Sequence, residues 1–178
     1  MTNHLFVVAA SVLALAACGK ASETAAEKVI EAQMAKDGSK AKVDLSGGGV
    51  KMSSTDASGK TTQMEMGNAR ISEADLGLSF YPGTQPAAGG ATRVSSADAT
   101  MYTVMLHSDD APDKVAAYYR DKLKGQSEGK QYTETSGDGS HMLMLADDKQ
   151  QHVTQVMVGK ADPKGSDIQI IANRGAAK

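Results

Sequence analysis

The side chains best suited to chemistry in this sequence are thioethers. Met64-Glu65-Met66 and Met142-Leu143-Met144 are Met-x-Met pairs, with His141 and His152 close to the second pair. Sulfur and imidazole are soft ligands suited to Cu(I) or Ag(I). In a strand, residues i and i+2 share a face, so each pair presents two sulfurs together. A buried strand face produces the same alternation, and methionine readily fills irregular cores. Met64, Met66, Met142, Met144 and His141 are therefore a candidate soft-metal set, weighed against a reading in which they only pack. With residues 147–150 as a turn, His152 falls opposite Leu145 and His141 opposite Val156, so the two histidines are not cross-strand neighbours.

The remaining reactive types point to little. No spacing of His, Asp and Glu matches a zinc motif. Ser140 and His141 adjoin, but no nucleophile-elbow pattern surrounds them. Asp109, Asp110 and Asp113 are explained by helix capping, and Gly47-Gly48-Gly49 lacks the Lys and Ser/Thr of a phosphate loop. No catalytic constellation is visible, so the expectation is a non-catalytic binding module that takes no cofactor beyond a covalent lipid.

That lipid is read from Cys18, the single cysteine of the chain, which rules out an intrachain disulfide. A leftover cysteine in an exported protein calls for a reason. Residues 5–17 (LFVVAASVLALAA) are apolar throughout, but shorter than the roughly 20 residues needed to span a bilayer. Their N-terminal position and small-residue end are the layout of a cleaved signal peptide. The segment Leu15-Ala16-Ala17-Cys18 resembles the lipobox of bacterial lipoproteins. The Met1-Thr2-Asn3-His4 start departs from that family's pattern in lacking Lys and Arg. The resemblance implies cleavage before Cys18 and three acyl chains on it. Stable anchoring takes about two lipid signals, so three hold a protein permanently. Gly19 stands where an Asp retains enterobacterial lipoproteins in the inner membrane, which implies an outer-membrane location facing the periplasm.

Composition bounds the rest. The 178 residues are 40% hydrophobic and 22% charged, which suits one globular domain with at most a small appended unit. A net charge of −2 gives no field to attract nucleic acid. Expected partners are the membrane, through the lipid, and another envelope protein. There is no Trp, and two Phe and five Tyr stand against ten Met, so the apolar surface is aliphatic and Met-rich.

Elements to position these residues follow from periodicity. Residues 1–17 read as the signal peptide and 18–38 as an anchored spacer helix. Thr24 and Glu27 form a capping box there, and Ala26, Val29, Ile30 and Met34 share one face. Residues 42–67 alternate with period 2 and read as a small three-stranded meander, too slight to stand alone. Residues 68–96 read as a loop-rich linker with a type II turn at Tyr81-Pro82-Gly83 and a flexible link at 86–90. Residues 97–174 give strand 101–107, a helix capped by Asp110 and opened by Pro112, and strands 131–135, 141–146, 152–159 and 167–172. The expected fold is α+β: an antiparallel sheet (β-α-β-β-β-β) with the helix across one face. The N-terminal helix and meander precede it, and the meander is a candidate cover for the second face.

A second resemblance covers about half of the mature chain. Residues 75–84 (DLGLSFYPGT), then a strand, then 108–123 (SDDAPDKVAAYYRDKL) are similar to a pattern in small bacterial envelope proteins of unassigned activity. It brings no site residues with it.

Overall fold

Alternation of apolar and polar residues governs most of the chain, and the computed structural model, which describes residues 19–35 and 40–175, shows the result. Cys18 and the segment 1–17 lie outside the described residues. Helix α1 (Gly19–Ala35) precedes strands β1 (Lys40–Asp44), β2 (Val50–Thr55) and β3 (Thr61–Met66). A short helix α2 (Glu73–Leu76), strands β4 (Pro86–Ser95) and β5 (Ala99–Ser108) and helix α3 (Pro112–Lys124) follow. Strands β6 (Gln131–Gly137), β7 (Ser140–Asp147), β8 (His152–Lys160) and β9 (Ser166–Gly175) complete the chain. No described helix is long and apolar enough to cross a membrane.

All the strands belong to one nine-stranded sheet in the order β1-β2-β3-β4-β5-β9-β8-β7-β6, and every adjacent pair is antiparallel. This corrects the α+β expectation. The protein is predominantly β, and the meander is neither a separate unit nor a cover. It extends the sheet sideways through β3 and β4, which leaves one sheet face without the layer expected on it. Strand β4 is what joins the two halves, and its composition hid it. Pro86 pairs with Leu106 and Ala91 with Val104, so the intervening residues bulge out of register. Gly89 takes a φ of +75° there, and a Cβ on Gly90 would stand 3.2 Å from the Cβ of Met105. Glycines that read as a flexible link are the residues such a bulge requires.

The two faces are unlike. We call front the face carrying Val104, Leu106, Leu143, Val156, Val158, Ile168 and Ile170, each at most 2% exposed. Helix α3 lies across it on β7 and β8 through Val115, Ala116, Tyr119 and Leu123, all buried. Each large side chain of this kind contributes about 1.5–3 kcal/mol on burial. The Tyr81-Pro82-Gly83 turn closes with Thr84 N–H donating to the Tyr81 carbonyl, and Gly83 supplies the positive φ of a type II turn. Tyr81 then packs edge-on to Tyr118 at 5.2 Å between ring centroids. Arg174 of β9 donates to the Leu76 carbonyl at the C-terminus of α2 and to Thr154 Oγ1.

Two capping expectations are also corrected. Asp110 does not cap α3, whose N-cap is Ala111. Its carboxylate instead accepts from the Tyr81 hydroxyl at 2.7 Å. Helix α1 already begins at Gly19, so Thr24 and Glu27 are interior to it, and Val29 is 69% exposed. Glu27 and Glu31 serve the edge of the sheet. Glu31 Oε1 accepts from Val43 N–H at 2.9 Å and Glu27 Oε1 from Leu45 N–H at 2.8 Å. Four helical residues rise about 6 Å and two strand residues about 6.8 Å, so carboxylates at i and i+4 match alternate N–H groups of β1. The helix thereby satisfies an edge that would otherwise invite pairing.

Candidate functional site

The residues that alternate with the buried front set point to the back of the sheet. Register carries them across in continuous rows. One runs Met142, Met157, Gln169 and Met105. A second runs Met144, Gln155, Ile171, Thr103, Thr92, Met66 and Val50. A third includes Asn173, Met101, Val94, Met64, Met52 and Val43. Every methionine from Met52 to Met157 is therefore on this face. Met66, Met101, Met105 and Met142 are 42–47% exposed. Among the described strand residues of this face, only Val43 is buried, at the edge along which α1 lies.

The back face is also nearly without charge. Among its described strand residues Asp167 is the one acid, and its Oδ1 lies 3.2 Å from His107 Nδ1. The front of β1–β4, by contrast, carries Lys42, Asp44, Lys51, Glu65 and Arg93. Glu65 sits between Lys51 at 3.6 Å and Arg93 at 3.4 Å, and the Arg93 guanidinium lies 5.5 Å from the Tyr102 ring centroid. That surface is solvated; the back is a broad uncharged expanse of Met, Thr, Gln and Val. Toward the β6–β9 end it dips into an open depression of about 500 Å³ lined by Met105, Met142 and Met157, with Ser140, Gln169 and the acids Asp138 and Asp167 among its polar groups. Gly159 also lines it and leaves the space a side chain would fill.

The soft-metal set drawn from the sequence is divided by this geometry. Met64 and Met66 on β3 and Met142 and Met144 on β7 share the back face. They are separated by five strand steps, about 24 Å at the usual spacing. His141 is on the front and has both ring nitrogens engaged. Nδ1 lies 2.9 Å from Ser136 Oγ and Nε2 lies 2.9 Å from Asp113 Oδ1. Sequence spacing missed two thioethers that the hairpins bring in, Met52 opposite Met64 and Met157 opposite Met142. The expected β7–β8 register was short by two residues. Asp147 stays in the ladder opposite His152, accepting from Lys149 N–H and Gln150 N–H, and Gln151 turns the loop with a φ of +54°. His141 thus faces Val158 rather than Val156. A count of alternating positions around that loop would have found Met157.

The Ser136–His141–Asp113 chain has the residue types of a nucleophilic triad. Asp113, however, is 91% exposed, so water competes for its carboxylate. Its effect is to tie β6 and β7 to the first turn of α3. A second front-face group does the same at the middle of the helix. Arg120 Nε donates to both carboxylate oxygens of Glu134 at 2.9 Å, and the Tyr132 hydroxyl donates to Oε2 at 2.8 Å. Arg120 holds the Glu134 carboxyl down at about 2, and burial, aided by Glu134, pushes Tyr132 up to about 12. Glu134 is thus fixed as an ionised strut. Among the described residues no group of three or more His, Cys, Asp or Glu side chains is placed to hold a metal ion.

Fold and surface together define a single-sheet protein with one helix-packed face and one open, uncharged, thioether-rich face. Comparison with protein-family models, with curated proteins and with solved structures finds no match.

Proposed function

We propose that this chain is a lipid-anchored protein of the bacterial envelope, held through Cys18 in the outer membrane and facing the periplasm. Its back face docks, without catalysis, on an uncharged and largely apolar surface of another envelope protein. The observation that carries this reading is the uncovered, almost charge-free back of the sheet. Exposed contiguous apolar surface on a folded protein marks an interaction site. Methionine makes such a surface adaptable, because its unbranched side chain repacks against differently shaped partners. The scarcity of charge selects against polar surfaces, which would lose hydration without gaining partners. The anchor rests on the lipobox-like Leu15-Ala16-Ala17-Cys18.

Site-specific photocrosslinking in the cells that make the protein tests both parts. A crosslinker at Thr103, on the back, is expected to trap one protein reproducibly. A crosslinker at Gln63, on the front, traps none, and Met101→Asp abolishes the Thr103 product. Mass spectrometry of the membrane-purified chain is expected to show an acylated Cys18 as the first residue. Equal products from both faces remove the docking assignment, and an unmodified Cys18 within an intact precursor removes the anchor.

A further inference from the structure

Each Met-x-Met pair becomes a three-thioether cluster once the register is known. On β7, Met142 and Met144 share the back face, and Met157 of β8 stands directly opposite Met142. On β3, Met64 and Met66 share the same face, and Met52 of β2 stands directly opposite Met64. The two clusters have one design: a directly opposed pair, with the third methionine two residues along the Met-x-Met strand. Opposed residues of an antiparallel pair have Cβ atoms about 4.5–5.5 Å apart, and residues i and i+2 lie about 6.8 Å apart along a strand. Methionine places its sulfur at the end of a flexible chain with three rotatable bonds. Side chains of that length and freedom can bring three sulfurs so disposed to a common point above the sheet.

Neutral thioethers prefer soft monovalent ions. Hard divalent cations require oxygen ligands, carboxylates above all. The neighbours of the β7–β8 cluster along its rows are Thr133, Thr135, Gln155 and Gln169. Those of the β2–β3 cluster include Val50, Thr92 and Val94. None of these carries charge. Asp138 and Asp167 line the depression beside Met142 and Met157, but among the described residues no group of three or more His, Cys, Asp or Glu side chains is placed to hold a hard divalent ion at either cluster. We propose that each cluster binds one soft monovalent cation, Cu(I) or Ag(I), through Met142, Met144 and Met157 in one case and Met52, Met64 and Met66 in the other. The inference is independent of the docking reading, which needs the uncharged surface but not its sulfurs. The remaining back-face methionines are built-in controls. Met101 is flanked by Val94 and Asn173, and Met105 by Gln169, so neither has a directly opposed thioether.

The test is titration of the full chain with Ag(I), which needs no reductant, read by native mass spectrometry. Cys18→Ser removes the competing thiol. Two ions per chain are expected. Met157→Leu and Met52→Leu each retain one, and the double variant retains none. Met→Leu conserves volume and shape closely enough to keep the fold, and circular dichroism verifies this for each variant. Met101→Leu and Met105→Leu are expected to keep both ions. Fewer than two ions on the parent chain, an unchanged count in the double variant, or an equal loss in the Met101 or Met105 controls overturns the assignment.

Discussion

Front and back of this sheet are made by the same strands, one residue apart, and they obey different rules. On the front, β8 and β9 present Val156, Val158, Ile168 and Ile170, β-branched side chains with few rotamers that lock under α3. On the back, the adjacent positions Met157 and Gln169 are flexible or polar and only half-buried, and even the β-branched Ile171 there is not fully buried. A face that is covered permanently gains from stiff side chains, because they lose little entropy on packing. A face whose cover comes and goes gains from side chains that rearrange. The contrast sorts packed core from open surface.

The largest consequence is in stability. Leu143 is fully buried on the front, whereas Met144, the next residue, is half-buried on the back. Leu143→Ala is expected to cost about 2–5 kcal/mol, from lost transfer energy plus the cavity left behind. Met144→Ala is expected to cost about 1 kcal/mol or less. Urea denaturation of both variants measures the difference directly. Equal losses would mean that the back face is packed in solution and that the comparison between faces fails.

Acid separates the faces next. The Glu134 carboxyl, held by Arg120, is lowered from its usual 4.5 to about 2. A group whose folded value is depressed adds stability above its unfolded value and loses it as pH falls toward the folded one. The front-face strut therefore works fully above about pH 4.5 and fades between there and about pH 2. With Glu134 and Arg120 side chains 21% and 32% exposed, solvent screening limits the effect to roughly 1–2 kcal/mol. Denaturation profiles at successive pH values should show this acid limb, and Glu134→Gln should flatten it. A limb of unchanged depth in Glu134→Gln would assign the acid sensitivity to other carboxylates.

What the sequence made legible follows the same division. Strands β5, β7, β8 and β9 and helix α3 stand out because one face of each is strongly apolar, and periodicity reports a buried face well. The methionine alternation was visible too, but not its meaning, since period 2 is the same for a covered face and an open one. Strand β4 was hidden by Pro86, Gly89 and Gly90, which serve a bulge and read as a loop. The lateral joining of the meander was hidden for a deeper reason. Strand neighbours such as Met64 and Val94 are chosen by tertiary packing, and nothing local in either segment names the other. Met157 needed only the register of one hairpin, and Gln151 in a left-handed conformation moved that register by two residues.

The smallest expected effect on stability is the sharpest test of what the back face is for. Dilute hydrogen peroxide converts accessible methionines to sulfoxides, turning flexible apolar groups into polar ones. Met66, Met101, Met105 and Met142, at 42–47% exposed, should oxidise first, ahead of the half-buried Met52, Met64, Met144 and Met157. Because these side chains already meet water, their sulfoxides should change the unfolding free energy by about 0.5 kcal/mol or less. The same modification places polar oxygens on a surface argued to recognise apolar partners, so the crosslink from Thr103 should disappear while the fold remains. Peptide mapping and a melting curve on one oxidised sample read both quantities. Loss of cooperative unfolding at the first oxidations would show that the thioethers belong to a packed core. Retention of the crosslink after full oxidation of the four exposed methionines would show that the partner recognises something other than their apolar surface.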